Sequence, residues 1–125
     1  MKVLIIDDDA DIRTIARLSL SRVGGMDVIE AASGVEGVRK AQEEKPDVIL
    51  LDMMMPAMDG LQTLSALRSQ PATAMTPVIF LTAKAVGEGV ERMTNLGAAG
   101  VLIKPFNPRT LSADVRNLVN RPLDA

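Results

Sequence analysis

VILLDMMMPAMDG, residues 48–60, decides how this 125-residue chain folds. Four apolar residues, Val48 to Leu51, run without a break, and the carboxylate of Asp52 ends the run. Three methionines, Pro56 and the Asp59-Gly60 pair follow, and they read as a loop. A short apolar run bounded by turn signals is the pattern of a strand buried on both faces. The polar residue at its end then falls at the rim of a sheet, where open α/β folds place their sites. Taken by itself, Asp52 is more readily the cap of a turn or helix; the other strand ends change that reading.

Three further runs repeat the pattern. Val3–Ile6 ends in Asp7, Asp8 and Asp9; Val78–Leu81 ends in Thr82; Val101–Ile103 ends in Lys104-Pro105. A shorter, weaker strand falls at Val28-Ile29 and Ala31-Ala32. Helical spacing lies between the runs. Ile12, Ile15, Ala16, Leu20 and Val23 share one face, and Gly24-Gly25 stops that helix. Ser33 with Glu36 is a capping-box pattern, and Pro46 closes the helix it opens near Glu44. Leu61, Leu64 and Leu67 make a third helix, ended before Pro71. Val86, Val90 and Met93 keep helical spacing up to Gly97. Gly87 and Gly89 inside that segment cost about 1 kcal/mol each relative to Ala, so this helix is expected to be the softest. Asn107-Pro108 is an N-cap and first-turn pair, and Leu111, Val115, Leu118 and Val119 form the last apolar stripe.

Five strands alternating with five helices predict a doubly wound parallel sheet in a three-layer α/β/α sandwich. One domain spans residues 1–120, and 121–125 reads as a short tail or the start of a linker. Composition narrows the chemistry. There is no cysteine and no histidine, which excludes disulfides, a His/Cys zinc site and a Ser-His-Asp triad. Any metal must be a hard cation held by oxygen. A net charge of -2 gives no electrostatic reason for nucleic-acid contact by this domain. MKVLIIDDD is too short and too acidic for a signal peptide or membrane span, so a cytoplasmic protein is expected.

Parallel strands share their C-terminal edge, and there Asp7, Asp8, Asp9, Asp52, Thr82 and Lys104 gather. Singly, Lys104 reads as a solvated lysine and Thr82 as a helix cap; together they make a site. Clustered carboxylates repel, and a divalent cation and an ammonium relieve them. A carboxylate beside Mg²⁺, a lysine and a hydroxyl is equipped to attack phosphorus and form an aspartyl phosphate.

LIIDDD, VILLDMMMPAMDG, VIFLTA and VLIKPF, in this order and at these separations, resemble the receiver domain of two-component response regulators, the CheY-like superfamily. The resemblance covers about Lys2 to Val119. It implies a flavodoxin-like sheet of order 2-1-3-4-5. It implies Asp52 as phosphoacceptor, Asp8 as direct Mg²⁺ ligand, Asp7 as holder of metal-bound water, and the Met54 main-chain carbonyl as third protein ligand, with Mn²⁺ as an alternative ion. Asp9 becomes an extra acid outside the ligand set. Thr82 and Lys104 match the switch hydroxyl and the phosphate-binding lysine, and Lys104-Pro105 matches a cis peptide. Gly60 lets the loop after Asp52 turn.

The implied phosphodonor is a histidine kinase or histidine phosphotransfer domain, and the implied reader a downstream protein or fused output domain. Such a domain assists its own phosphorylation and dephosphorylation rather than turning over a separate substrate. Many receivers carry an aromatic residue where this chain has Val101, so half of the family's switch is missing. The expected substitute is ordering of the helix from about Ala85 to Leu96. Met54 and Lys84 sit where the family tunes phosphoryl lifetime. Met53, Met54, Met55 and Met58 serve equally as an adaptable partner surface or as filler under the loop. Leu18, off the buried face of its helix, is a candidate kinase contact. Two other readings compete: a receiver-like scaffold that is not phosphorylated, and a haloacid-dehalogenase-type phosphatase using Asp7, to which Asp7-x-Asp9 has a partial resemblance.

Overall fold

The computed structural model of the chain describes residues 1–83, 94–95 and 97–120. Five strands form one parallel sheet: β1 (Lys2–Ile6), β2 (Asp27–Ala31), β3 (Val48–Asp52), β4 (Val78–Thr82) and β5 (Gly100–Ile103), in spatial order β2-β1-β3-β4-β5. Four described helices accompany them: α1 (Ala10–Leu18), α2 (Gly34–Glu44), α3 (Gly60–Arg68) and α4 (Leu111–Asn120). The fifth expected helix, from about Ala85 to Leu96, lies outside the described residues except for Thr94 and Asn95, which are helical. No helix among the described residues is long and apolar enough to cross a membrane.

The unbroken apolar runs are explained by two separate cores. Side chains alternate along a strand, so Leu4, Ile6, Ile49, Leu51, Val78 and Phe80 enter one core with Ala41, Leu64 and Leu67 of α2 and α3. Val3, Ile5, Val48, Leu50, Ile79 and Leu81 enter the other with Ala16 and Leu20 of the first helical segment and Leu111 and Val115 of α4. Each such fully buried aliphatic side chain contributes about 1.5–3 kcal/mol relative to exposure. A polar residue inside β3 or β4 would therefore face a core whichever way it pointed. The edge strands are covered less: Ile103 of β5 is more than half exposed.

Local signals set the element ends. Asp9 caps α1 by accepting from the backbone N–H groups of Asp11 and Ile12. Lys45 closes α2 in the left-handed conformation, φ 48°. Asp59 and Gln62 form a reciprocal capping box at α3, a pattern legible as D-x-x-Q that the sequence reading passed over. At α2, Ser33 accepts from the Glu36 N–H as expected, but the Glu36 carboxylate reaches past Ser33 and accepts from the Ala32 N–H at 2.6 Å.

The apolar face expected through Val23 is corrected. Ala16 and Leu20 are buried, whereas Ile15 is 43% and Val23 61% exposed. After Leu18 the helix widens into a π-helical turn, Ser19–Val23. The wider turn rotates later positions away from the 3.6-residue register, and Val23 leaves the core. Gly24 then meets α4: a Cβ placed there would lie 2.6 Å from the Ser112 Cβ. Asn107 also acts one turn earlier than expected. Its carboxamide oxygen accepts from the Arg109 N–H, capping a turn that leads into α4 at Leu111.

Candidate phosphoryl-acceptor site

Strand register brings the site together. Ile6 pairs with Leu51, Asp52 with Leu81, and Thr82 with Ile103, so the three inner strands and β5 end level. The ladder continues past the strands: Asp7 N–H donates to Ala31 O at 3.1 Å, Met53 N–H to Leu81 O at 3.0 Å, and Lys104 N–H to Thr82 O at 2.8 Å. These bonds fix where each functional side chain leaves the backbone.

One cavity of about 260 Å³ opens at this edge, lined by Asp7, Asp8, Asp9, Asp52, Met54, Thr82, Ala83 and Lys104. Asp7 is fully buried, Asp52 is 5% exposed, and Asp8 is exposed at the mouth. Lys104 bridges the two buried acids. Its Nζ lies 2.8 Å from Asp7 Oδ2 and 3.1 Å from Asp52 Oδ1. Asp7 Oδ1 accepts from the Asp9 N–H at 2.9 Å, and Asp52 Oδ1 from the Met54 N–H at 3.3 Å.

The Asp52 carboxyl is raised from the usual 3.8 to about 6: burial raises it most, the Asp7 charge raises it further, and Lys104 and the Met54 N–H partly offset both. Repulsion among carboxylates, the cause expected from sequence, is thus second to desolvation. Burial pulls the Lys104 ammonium down, but hydrogen bonds and charge from Asp7 and Asp52 outweigh it, and its pKa rises. The lysine therefore remains a cation.

Asp7, Asp8 and Asp52 each offer a carboxylate oxygen, and these oxygens lie within 4.8 Å of one another. Hard oxygen donors around an open cavity suit a divalent cation such as Mg²⁺. Met54 lines the cavity and is 77% exposed. Met55 is buried beneath the loop and Met53 and Met58 are half-buried, so the methionines divide between filler and surface. Thr82 is 7% exposed at the end of β4, and the Lys104-Pro105 peptide is cis. Val101 is half-buried against the core that holds Phe80. Leu18 is half-buried, whereas Ile15 on the same helix is exposed. Lys84 lies outside the described residues.

Asp9 lines the cavity, but its carboxylate caps α1 and is not in the carboxylate group formed by Asp7, Asp8 and Asp52, in keeping with an acid outside the ligand set. One expectation changes. Gly60 is not the residue that turns the loop. The left-handed residue is Ala57, φ 65°, and Gly60 is needed for closeness: a Cβ there would lie 2.7 Å from the Asp52 carbonyl oxygen and 2.8 Å from Met53 Cα. Sequence reasoning also missed Arg13, whose guanidinium Nη1 donates to the Asp7 carbonyl at 2.7 Å. Nothing in the sequence marks it, because its other partner, Glu30, stands on a different element.

Residues 3–116 match the response regulator receiver domain family. The alkaline phosphatase synthesis transcriptional regulatory protein PhoP of Bacillus subtilis is 40% identical over 122 residues, covering 96% of this chain and 49% of that protein. The transcriptional regulatory protein ResD of the same organism is 38% identical, covering 96% and 48%. The chain thus spans about half the length of the curated relatives it matches. Among solved structures, the chemotaxis protein CheY4 of Vibrio cholerae superposes with a TM-score of 0.88 at 38% identity, covering 94% of this chain and 97% of that one.

Proposed function

The chain belongs to the response regulator receiver domain family, and from that premise we propose that it accepts a phosphoryl group on Asp52 from a phosphohistidine of a histidine kinase or phosphotransfer domain. The observation that carries this reading is the bridge from Lys104 to both buried acids, Asp7 and Asp52, at the head of one cavity. An Asp52 carboxylate oxygen attacks phosphorus. A P–O bond forms, the P–N bond to the donor imidazole breaks, and the departing imidazole nitrogen takes a proton.

Lys104 faces charge on the transferring group from within the site, and Thr82 offers it a hydroxyl. Asp7 and Asp8, with Asp52 and the Met54 carbonyl, would hold Mg²⁺, or Mn²⁺ in its place, and a bound ion would supply positive charge to offset that of the phosphoryl group. Burial of Asp52 keeps bulk water away, and exposed Asp8 and Met54 leave the mouth open to the donor. The output is a protein contact or a fused domain, and the relatives named as transcriptional regulators favour the fused arrangement for their group. A cytoplasmic location accords with such a partner.

The reading in which Asp7 is a phosphatase nucleophile loses support, because Asp7 is fully buried and both its carboxylate oxygens are engaged. Intact mass after incubation with a small-molecule phosphodonor and Mg²⁺ tests the proposal. The expected result is one added phosphoryl group that requires Mg²⁺ and is absent in Asp52→Ala. Addition that survives in Asp52→Ala and vanishes in Asp7→Asn would favour the phosphatase-type reading. No addition from either a small-molecule donor or a histidine kinase, and no Mg²⁺ binding, would favour a scaffold.

A further inference from the structure

Asp8 is the exposed member of the acidic cluster, and its direction is set by the backbone on either side of it. After it, the Asp9 N–H donates to Asp7 Oδ1 at 2.9 Å. Before it, the Asp7 carbonyl accepts from Arg13 Nη1 at 2.7 Å. Both peptides that flank Asp8 are therefore pinned, one by Asp7's own carboxylate and one by a guanidinium from α1. Arg13 is held in turn. Its Nε lies 3.3 Å from Glu30 Oε1 on β2, and the second Glu30 oxygen lies 3.0 Å from Arg17 Nε. Lys40 Nζ donates to the Glu30 carbonyl at 2.5 Å, so Glu30 is anchored at backbone and side chain.

We propose that Arg13 is a positioning residue for the cation site, fixing the Asp7–Asp8 peptide so that Asp8 faces Asp52, and that Glu30 acts through Arg13. This rests on the reading that Asp7, Asp8 and Asp52 hold Mg²⁺. A planar guanidinium suits the task because two of its N–H groups point in different, fixed directions, one to a carbonyl and one to a carboxylate. An ammonium's three donors all leave one freely turning atom, so it lacks the fixed in-plane spread between Nε–H and Nη1–H.

Charge and positioning make opposite forecasts for Arg13, which makes the proposal testable. By charge alone, Arg13→Ala removes a cation near the site and tightens Mg²⁺ binding, while Glu30→Gln removes an anion and weakens it. By positioning, both weaken it. The measurement is the Mg²⁺ dissociation constant by calorimetry on the unphosphorylated chain, beside thermal unfolding in chelator.

The expected result is a rise of about tenfold or more for Arg13→Ala, the range seen when a group supporting a metal ligand is lost. Glu30→Gln moves in the same direction, and the double variant adds nothing beyond Arg13→Ala. Arg13→Lys restores charge but only part of the affinity. Arg17→Ala, which touches Glu30 and not the Asp7 loop, leaves the constant unchanged. Tighter or unchanged binding in Arg13→Ala, or full affinity in Arg13→Lys, overturns the proposal. If Arg13→Ala unfolds in chelator, Arg13→Lys still decides it, because it keeps the charge and loses the fork. Absence of Mg²⁺ binding in the unsubstituted chain overturns the metal reading itself, and with it this one.

Discussion

Lys104 Nζ sits 2.8 Å from Asp7 Oδ2, although 97 residues separate them in the chain. Asp7 is fully buried and the lysine side chain is 21% exposed, so this pair and its partner Asp52 interact where solvent screens little. The ammonium is what makes two facing buried carboxylates tolerable in one cavity.

Removing it should be costly. Lys104→Met leaves Asp7 and Asp52 facing each other without a cation. Breaking a buried pair by deleting one member costs about 3 kcal/mol or more. Urea unfolding of the metal-free protein at pH 7 should show a loss of that order. The loss should shrink at pH 5, where Asp52 takes a proton. A loss independent of pH would mean that packing of the lysine stem, not charge, is what matters.

Asp52 itself should make the metal-free fold sensitive to pH. Its folded pKa, about 6, is above the ordinary 3.8. The folded state therefore binds the proton more tightly than the unfolded chain does. The resulting stabilisation is full below about pH 4 and is lost as pH rises through about 6. Asp52→Asn should abolish that slope and at pH 7 stabilise the metal-free protein by up to about 3 kcal/mol. Unfolding in chelator from pH 4 to 7 checks this; parallel curves for the two proteins would contradict it.

Mg²⁺ should raise the melting temperature, and Asp8 should be needed for that rise. A ligand at a hundred times its dissociation constant stabilises by about 2.7 kcal/mol. Asp8 is exposed, so Asp8→Asn should leave metal-free stability within about 0.5 kcal/mol of the parent. Its melting temperature should then fail to respond to Mg²⁺. Scanning fluorimetry with and without the ion gives the answer, and a full response in the variant would remove Asp8 from the ligand set.

Gly60 should tolerate no side chain. A Cβ would press on the Asp52 carbonyl, on Met53 and on Phe80 at 2.9 Å or less. Overpacking of this kind costs about 1–3 kcal/mol, and Gly60→Ala should fall at the upper end because two of the three neighbours are backbone. Since the pressure falls on Asp52, phosphoryl acceptance should drop along with stability. An alanine variant of parental stability would show that α3 can shift away.

Much of this was legible in one dimension. Unbroken runs such as Val48–Leu51 can be satisfied only between two covered faces, and that demand implies helices on both sides of a parallel sheet. A polar residue directly after such a run has only the sheet edge to go to, so Asp7, Asp52, Thr82 and Lys104 announced themselves as neighbours. Helix ends marked by short-range chemistry, such as Ser33, Pro46 and Gly24-Gly25, were equally readable, because a cap and its partner lie within a few residues.

What the tertiary structure alone decided has partners distant in sequence or a register that packing sets. Arg13 meets Asp7 and Glu30 across three elements. Val23 is turned to solvent by a π-helical turn that residue spacing does not encode. Gly60 matters because β3 and α3 nearly touch, a distance no loop sequence states. The order of causes at Asp52, burial before repulsion, needs the depth of the cavity. Hydrophobic pattern and local hydrogen bonding are properties of neighbouring residues, so the sequence by itself carries them. Desolvation, close approach and long-range salt bridges exist only once the strands have been laid side by side.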